Sequence, residues 1–458
     1  MLLVVLLVAL LVALSDVEVA ALVTPRYQAS HWREGRMDVG GRSHTAFRRA
    51  CGCIILLCVA VMTVTACGIA PSQRYDPDVP AVGPIKIGAS LSLTGDFAAD
   101  GKAFQQGYQL WADKVNATGG LLGRKVTLDI LDDASSDTNV VTNYQRLITV
   151  DHCDLVFGPF SSKLTKPAAM TANHYGYALV EGAGGGPSVF TQGLNNVFDV
   201  SLPVANNLIS FTQLVLSLPP AERPQTAAYA TEDDPFTQPQ IDLARQLLER
   251  AGVQTASYTV YSSDTTNFTP VAQKLVNARA DIVVLGTLLE DFKAFALAFK
   301  QQNYNPKAIV ATAGPDQGND FLNAIGGARS AEGIMVPNGW YPQQTTPGNQ
   351  AMVQAYLKAY GGDIGTINSD VPEAYSVGQV VQQAIAKTKS LNQAKLIAEL
   401  HKDTFTSVQG PVNFDNTGQN VVIEAFLFQW QGGQLVPIYP SSSDQSFKQP
   451  EYPRPNWP

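Results

Sequence analysis

An alternation of short apolar runs with longer amphipathic segments, beginning at Ile85, constrains the fold of this chain most strongly. Runs such as 85–93 (IKIGASLSL) and 281–287 (DIVVLGT) are nearly continuous in apolar residues, which is typical of strands buried on both faces. The intervening segments, such as 104–117 and 240–252, have the apolar spacing of amphipathic helices. Repeated βα units predict an α/β fold with parallel sheets covered by helices, in which ligands bind at the carboxyl ends of the strands.

Two series of βα units, similar in length, predict two doubly wound parallel-sheet lobes. The apolar run 332–337 (EGIMVP) is interpreted as the return of the chain to the first lobe. The predicted boundaries are lobe 1 at 85–201 plus 334–411, lobe 2 at 202–333 plus 412–440, and a flexible Ser- and Pro-rich tail at 441–458.

Residues 1–66 are predicted to be a targeting region that does not belong to the fold. Within them, the apolar run 54–65 (IILLCVAVMTVT) has the length of a signal-peptide core and is too short to span a bilayer. Three arginines in the segment 42–49 precede it and supply the positive charge that such a core requires. The pattern therefore predicts secretion.

The apolar run closes on 64–68 (VTACG), which resembles a lipobox and predicts lipidation of Cys67. The polar, Pro-containing segment behind it predicts a flexible tether over 67–84. Two alternatives stay open for the first 36 residues, which begin with an apolar run lacking positive charge in front of it. They are either a second membrane anchor or an upstream translation artefact, with Met37 as the true start.

Composition excludes several classes of partner and site. The net charge is −8 and no cluster of Lys or Arg is present, so nucleic acid is not expected as a partner. Four of the five cysteines crowd into the targeting region and its end, and one stands alone in the body of the chain: Cys51, Cys53, Cys58, Cys67 and Cys153. Neither a disulfide framework nor a zinc site is expected from this distribution.

The motifs of common enzymes are absent or incomplete. The loop 95–103 (GDFAADGKA) has one residue too many between its glycines for a phosphate loop, and Ala103 replaces the required Ser or Thr. The loop 182–187 (GAGGGP) lacks the third glycine of a dinucleotide loop, and no GxSxG motif occurs. The histidines after the targeting region stand singly, at His152, His174 and His401. We therefore predict a protein that is not an enzyme and has neither cofactor nor metal.

Five motifs occur in an order that resembles one family. They are 85–101 (IKIGASLSLTGDFAADG), 116–126 (NATGGLLGRKV), 128–137 (LDILDDASSD), 155–162 (LVFGPFSS) and 374–385 (AYSVGQVVQQAI). Together they resemble the type I periplasmic binding proteins, in the leucine/isoleucine/valine-binding subfamily and in its lipoprotein form. The resemblance implies two α/β lobes joined by three crossovers, which close on a small ligand by hinge motion.

The resemblance implies three ligand contacts on loops of the first lobe. Ser162 aligns with a serine that binds the ligand's carboxylate, at a predicted helix N-terminus that favours an anion, although a plain N-cap is the alternative. Ala183 and Gly185 align with a loop that offers a carbonyl and a hydroxyl. The hydroxyl is missing at Gly185, so glycine N–H groups are expected to replace it, unless the loop is thin only for packing.

Four further positions are implied around the ligand's amine and side chain. Phe236 and Leu288 stand where relatives have aromatic residues, and Asp316 stands where an acid binds the ammonium group. Asp100 falls where many relatives have an aromatic residue lining the side-chain pocket. Each could be structural, but together these departures predict a shifted ligand class rather than a loss of binding.

The resemblance finally implies a role and its partners. We expect an extracytoplasmic solute-binding component of an ABC importer, anchored to the membrane by lipid, that delivers a branched-chain amino acid or related solute to permease subunits. The same fold binding an amide, urea or aromatic carboxylate is one alternative. A ligand sensor acting with a membrane receptor is another.

Overall fold

Both predicted lobes are present in a computed structural model of the chain, which describes residues 83–423, 425–440 and 445–458. The targeting region, Cys67 and nearly all of the predicted tether lie outside these residues. Among the described residues, no helix combines the length and apolar character needed to cross a membrane.

The first stretch of chain builds a five-stranded parallel sheet with the strand order β2-β1-β3-β4-β5. Its elements are β1 (Ile85–Leu91), α1 (Ala98–Ala117), β2 (Val126–Asp132), α2 (Asp137–Thr149), β3 (Leu155–Phe157), α3 (Ser162–His174), β4 (Leu179–Glu181), α4 (Pro187–Phe190) and β5 (Val197–Asp199). This sheet is the centre of the first lobe.

The second stretch begins the second lobe after a 3-10 turn at Val204–Asn206. Its elements are α5 (Ile209–Ser217), β6 (Thr226–Glu232), α6 (Thr237–Arg250), β7 (Gln254–Tyr261), α7 (Thr269–Ala278), β8 (Ile282–Gly286), α8 (Leu289–Gln301), β9 (Ala308–Ala311), α9 (Asn319–Ile325), α10 (Ala328–Ala331) and β10 (Ile334–Asn338).

The remaining chain returns to the first lobe and then crosses once more. The returning elements are α11 (Asn349–Tyr360), a 3-10 turn at Ile364–Thr366, α12 (Asp370–Thr388), α13 (Gln393–Lys402), β11 (Thr404–Ser407) and β12 (Gly410–Asn413). The last two strands, β13 (Phe426–Gln431) and β14 (Gln434–Tyr439), pair antiparallel at one edge of the second sheet, whose order is β14-β13-β10-β9-β8-β6-β7.

Alternate residues of the central strands separate the second lobe into two cores. Val283 and Leu285 of β8 belong to one hydrophobic cluster, whereas Ile282 and Val284 belong to another. Successive side chains of a strand point to opposite faces, so helices must cover both faces of this sheet. The nearly continuous apolar run of β8 follows directly from this double burial.

Two glycines let α1 and α12 pack closely in the first lobe. A Cβ on Gly107 would lie 2.3 Å from the Val371 carbonyl oxygen, and a Cβ on Gly378 would lie 2.2 Å from Cδ2 of Trp111. Any larger residue at either position would therefore push the two helices apart. This packing matters for function because α12 begins at the cleft between the lobes.

Local sequence signals explain where some helices begin. The Ser136 hydroxyl accepts a hydrogen bond from the Asn139 N–H at 3.4 Å ahead of α2, and the Asn392 side chain accepts one from the Lys395 N–H at 3.1 Å ahead of α13. Such N-caps satisfy backbone donors that have no partner inside the helix.

The predicted α/β class with two doubly wound lobes is confirmed, and the described chain passes between the lobes three times. These passages lie between β5 and α5, between β10 and α11, and between β12 and β13. Three connecting segments therefore join the two lobes, as the sequence resemblance implies.

Two predicted lobe boundaries are wrong. The strand at 334–338 was expected in the first lobe, but it pairs with β9 and β13 in the seven-stranded sheet. The segment after 412 was expected in the second lobe, but Phe414 lies in the core of the first lobe and the Gly418 carbonyl accepts the Asp199 N–H at 2.9 Å. In both cases the lobe is determined by contacts with residues far away in the sequence. A local apolar pattern predicts a strand but not the strand with which it pairs.

The prediction of a flexible C-terminal tail is wrong for residues 445–458. The Arg454 N–H donates to the Lys307 carbonyl at 2.8 Å, and the Trp457 indole donates to the Tyr304 carbonyl at 2.8 Å. Arg454 is buried and its guanidinium stacks over the Trp457 ring. The tail therefore packs on the second lobe despite its Ser- and Pro-rich composition.

Candidate functional site

A cavity of about 60 Å³ lies between the two lobes, at the carboxyl ends of several strands, and it has space for several water molecules. The first lobe lines it with Phe160, Ser161, Gly182, Ala183, Gly185, Asp199, Asp370 and Glu373. The connecting segments and the second lobe line it with Ser201, Leu202, Val204, Asn207, Phe236, Thr312, Ala313, Asp316, Pro337, Asn338 and Gly339. Gln409, between β11 and β12 of the first lobe, completes the lining.

Four of the seven predicted ligand contacts meet at this cavity. Ala183 and Gly185 reach it from the loop after β4, Phe236 from the loop after β6, and Asp316 from the loop after β9. The structure therefore brings together residues from both lobes that are separated by up to 133 positions in the chain. Their role toward a ligand stays a prediction.

Ser162 is placed one residue away from the cavity wall. It is fully buried, and its hydroxyl accepts a hydrogen bond from the Gly186 N–H at 2.9 Å. The side chain thus holds the glycine loop against the start of α3. Ser161 lines the cavity in its place, and the Ser161 hydroxyl has no hydrogen-bond partner among the described residues.

Asp100 and Leu288 do not line the cavity. Asp100 lies in the first turn of α1, accepts a hydrogen bond from the Gln317 side chain and shares another with the Asp370 carboxyl group. Leu288 precedes α8 and packs against the core of the first lobe. Both residues therefore make contacts between the lobes rather than facing the cavity.

The glycine loop is thin because its neighbours leave no room for side chains. A Cβ on Gly185 would lie 2.5 Å from Oδ2 of Asp199 and 3.0 Å from Cγ2 of Val204. The Gly184 N–H donates to the Glu181 carboxylate. Main-chain atoms of this loop consequently approach the cavity closely.

Asp316 presents one satisfied and one free oxygen. Its Oδ2 accepts hydrogen bonds from the Ser369 hydroxyl at 3.0 Å and from the Asn338 side-chain amide at 3.4 Å. Its Oδ1 is buried and has no partner among the described residues. Burial raises the pKa of Asp316, since the charged form is desolvated. A cationic group beside Oδ1 would reverse that effect.

Sequence reasoning missed three further acids on the wall: Asp199, Asp370 and Glu373. Burial raises the pKa of Asp199 to about 7. Burial, followed by the neighbouring Asp316 and Asp199 carboxylates, raises the pKa of Glu373 well above its usual range. A signal for two of them was present, because Asp370 and Glu373 are three residues apart and therefore share one face of α12.

The geometry defines a class: two α/β lobes, three connections, and a polar cavity between them are the features of an extracytoplasmic solute-binding protein. A family model described as periplasmic binding protein matches residues 84–434, and the chain belongs to this family. Family membership makes the protein a binding protein that acts outside the cytoplasm, and not an enzyme.

Individual relatives agree with this assignment. The Leu/Ile/Val-binding protein homolog 7 of Brucella abortus (strain 2308) is 26% identical over 380 residues, which cover 80% of this chain and 93% of that protein. LivJ of Streptococcus pneumoniae, a branched-chain amino acid transporter substrate-binding protein solved with isoleucine, has a TM-score of 0.67 and 20% identity, covering 77% of this chain and 97% of LivJ. An ABC transporter solute-binding protein from R. palustris, solved with benzoate, has a TM-score of 0.66 and 18% identity. The match covers 80% of this chain and 99% of that protein.

Proposed function

We propose that this protein is the solute-binding component of an ABC importer, and that it binds an amino acid or a related small solute between its two lobes. The observation that carries the proposal is the cavity lined from both lobes, with the partly buried Asp316 presenting an unpaired oxygen to it. A ligand that bridges both walls stabilises the closed arrangement, which the permease then distinguishes from the empty protein.

Contacts already made between the lobes support a closing motion about the three connections. Ser369, immediately before α12, donates to Asp316 of the second lobe, and Gln317 of the second lobe donates to Asp100 of α1. Both pairs lie beside the cavity and are polar, so water can replace each partner when the lobes separate. Because water satisfies the same groups in the open form, these contacts alone do not favour closure, and contacts with a ligand must favour it.

The ligand class is narrowed by the charge of the wall. The fold holds isoleucine in the Streptococcus pneumoniae protein and benzoate in the R. palustris protein. In this chain, four carboxyl groups line the cavity. Such a wall opposes a ligand whose only charge is a carboxylate and favours one that carries a protonated amine.

Membrane attachment through Cys67 is part of the proposal and rests on the lipobox at 64–68 with its preceding apolar run. A lipid on Cys67 would hold the binding lobes near permease subunits through the segment 67–84. Both the cysteine and nearly all of this segment lie outside the described residues.

A thermal-shift screen tests the binding function. The mature protein is heated with amino acids, amides, urea, amines and aromatic acids, each in turn. A true ligand at about a hundred times its dissociation constant should stabilise the protein by about 2.7 kcal/mol. The proposal predicts that at least one compound carrying an amine raises the melting temperature. If no compound of any class does so, the solute-binding role is contradicted.

A further inference from the structure

Six carboxyl groups lie on or directly behind the cavity wall, and we refer to them as the acidic wall. They are Asp199, Asp316, Asp370 and Glu373 on the lining, with Glu181 and Asp100 behind it. Members come from both lobes, and each of the two rear groups acts electrostatically on a lining acid. The cluster therefore belongs to the cleft itself and not to either lobe alone.

No positive charge of the described chain compensates this cluster. The described residues that line the cavity include neither Lys nor Arg. None of the ion pairs found among the described residues involves a member of the acidic wall. Burying several carboxylates together is unfavourable unless they share protons or meet a cation. Asp100 and Asp370 share a proton in a hydrogen bond between their carboxyl groups.

Five buried polar atoms of the cavity lining have no hydrogen-bond partner among the described residues: the Ser161 hydroxyl, the Asn207 amide oxygen and one carboxylate oxygen each of Asp199, Asp316 and Asp370. Asp199 is fully buried, and its Oδ1 accepts the Ser201 N–H at 2.8 Å, while its Oδ2 has no partner among the described residues. The Ser161 side chain is only 3% exposed and its hydroxyl likewise has no partner. Because these atoms line the cavity, they are available to a ligand that carries hydrogen-bond donors.

Neither a metal ion nor a zwitterion with a single ammonium group satisfies this wall. The described residues contain no group of three or more His, Cys, Asp or Glu placed to hold one metal ion. A simple zwitterion has no net positive charge, because its own carboxylate cancels its single ammonium group, so it cannot compensate several acids. Apolar lining by Phe236, Leu202 and Val204 suits an aliphatic chain between separate polar ends.

We propose that the cavity selects a small organic cation with two positively charged nitrogen groups joined by a short aliphatic chain. Diamines and amino acids with a basic side chain share this chemistry. The proposal rests on the solute-binding function proposed above and names its ligand class. One positive group binds Asp199 and Ser161 of the first lobe. The other binds Asp316 of the second lobe, so the ligand bridges the cleft.

Calorimetric titration of the mature protein tests the proposal, after unfolding and refolding to remove any solute bound during expression. Cadaverine, lysine and arginine are compared with leucine, isoleucine and benzoate. At least one dicationic compound should bind tenfold or more tightly than all three others. Preference for lysine over cadaverine would assign a role to the ligand's carboxylate, and the reverse preference would identify a free diamine.

Proton release gives a second readout that does not depend on a mutation. Burial raises the pKa of Asp199 to about 7, and burial together with neighbouring acids raises the pKa of Glu373 well above its usual range. A bound dication lowers these pKa values, so protons leave the protein at pH 7. The apparent binding enthalpy should therefore differ between phosphate and Tris, which have different protonation enthalpies.

Asp199→Asn is the decisive variant because it keeps the side-chain shape. Its amide oxygen can still accept the Ser201 N–H, and no bond is lost at Oδ2. Affinity for the best dication should fall about thirtyfold or more, the loss typical of removing one partner of a buried charge pair. Asp113→Asn on the exposed face of α1 is the matched control and should leave affinity unchanged.

Contrary outcomes separate this proposal from the broader function. If leucine, isoleucine or benzoate binds at least as tightly as every dication, the dication proposal is overturned while solute binding stands. Binding of Ca²⁺ or Mg²⁺ alone in competition with the amines would also overturn it, as would unchanged affinity in Asp199→Asn. If nothing in either group binds and no compound raises the melting temperature, both proposals fail.

Discussion

The Asp316 carboxylate of the second lobe accepts a hydrogen bond at 3.0 Å from the hydroxyl of Ser369, the residue that precedes helix α12 of the first lobe. The second carboxylate oxygen, Oδ1, is buried without a partner among the described residues. Asp316 therefore connects the lobes through one oxygen and offers the other to the cavity. The proposed function assigns closure to the first oxygen and ligand recognition to the second.

Replacement of Asp316 by alanine should weaken an amine-bearing ligand by roughly a hundredfold or more, because one partner of a buried charge pair is removed. A neutral amide should lose much less affinity, since it meets Oδ1 only through a hydrogen bond. Ser369→Ala keeps the carboxylate and is the matched control, expected to weaken binding by less than about tenfold. Calorimetry on all three proteins measures the difference. Unchanged affinity of Asp316→Ala for an amine would show that Asp316 is structural.

Gly185→Val should abolish ligand binding and leave the fold intact. The added Cβ would lie 2.5 Å from Oδ2 of Asp199 and 3.0 Å from Cγ2 of Val204, so the loop must move into the cavity. Circular dichroism checks the fold, and titration with the best ligand of the wild type checks binding. Retention of full affinity would mean that the glycine loop lies outside the site.

The contribution of Asp199 to the unfolding free energy of the ligand-free protein should fall as pH rises from about 4 to 7. Burial raises the pKa of Asp199 to about 7, against an ordinary value of 3.8, so the folded state holds a proton that the unfolded chain releases earlier. The contribution of Asp199 to stability is therefore fully present below its unfolded pKa and is lost as pH rises through its folded pKa. The difference of about 3 pKa units corresponds to at most about 4 kcal/mol.

Urea unfolding of wild type and Asp199→Asn at several pH values measures this contribution. The variant cannot lose a proton at position 199, so its stability should decline less over the same window. Burial also raises the pKa values of Glu181 and Glu373, which lie beside Asp199. The unfolding free energy of the variant should therefore still decrease with pH, but less steeply. Parallel pH profiles for the two proteins would contradict a protonated Asp199 in the folded state.

Some site residues could be predicted from the sequence because they follow recognisable strands. Asp316 lies five residues after the apolar strand β9, in a loop that matches a family motif. Asp199 was missed because the three-residue strand that it ends, Val197–Asp199, is too short to stand out as an apolar run in the sequence. Asp370 and Glu373 occupy the first turn of a helix, where acids commonly interact with the helix dipole. The sequence does not show that this turn opens onto a cleft.

The errors in the predicted fold have a similar origin, because the sequence does not show which distant segments meet. The apolar run 332–337 was interpreted as the return of the chain to the first lobe, but it forms β10 of the second sheet, because the pairing partners of a strand lie outside its local pattern. Ser162 was assigned because it aligns with the binding serine of the family, but two serines stand side by side here and an alignment by resemblance can be displaced by one residue. That single step changes which hydroxyl faces the cavity and which one holds the glycine loop.

Lipidation at Cys67 is tested in cells. Cys67→Ala should release the protein from the membrane fraction or leave the targeting region uncleaved, because the thiol that accepts the lipid is gone. Cell fractionation and mapping of the mature N-terminus measure both outcomes. Normal cleavage with full membrane retention in the variant, or a wild-type N-terminus at another residue, would rule out this anchor.

Closure of the two lobes on a ligand is the central claim, and a distance between the lobes tests it most directly. Spin labels are placed at the exposed positions Lys166 of α3 and Glu290 of α8, one on each lobe. The native Cys153 is buried and should not react. Pulsed electron resonance should show a shorter, narrower distance distribution when the best ligand is added, and no change in Gly185→Val. An unchanged distribution with a ligand that raises the melting temperature would contradict closure on the solute.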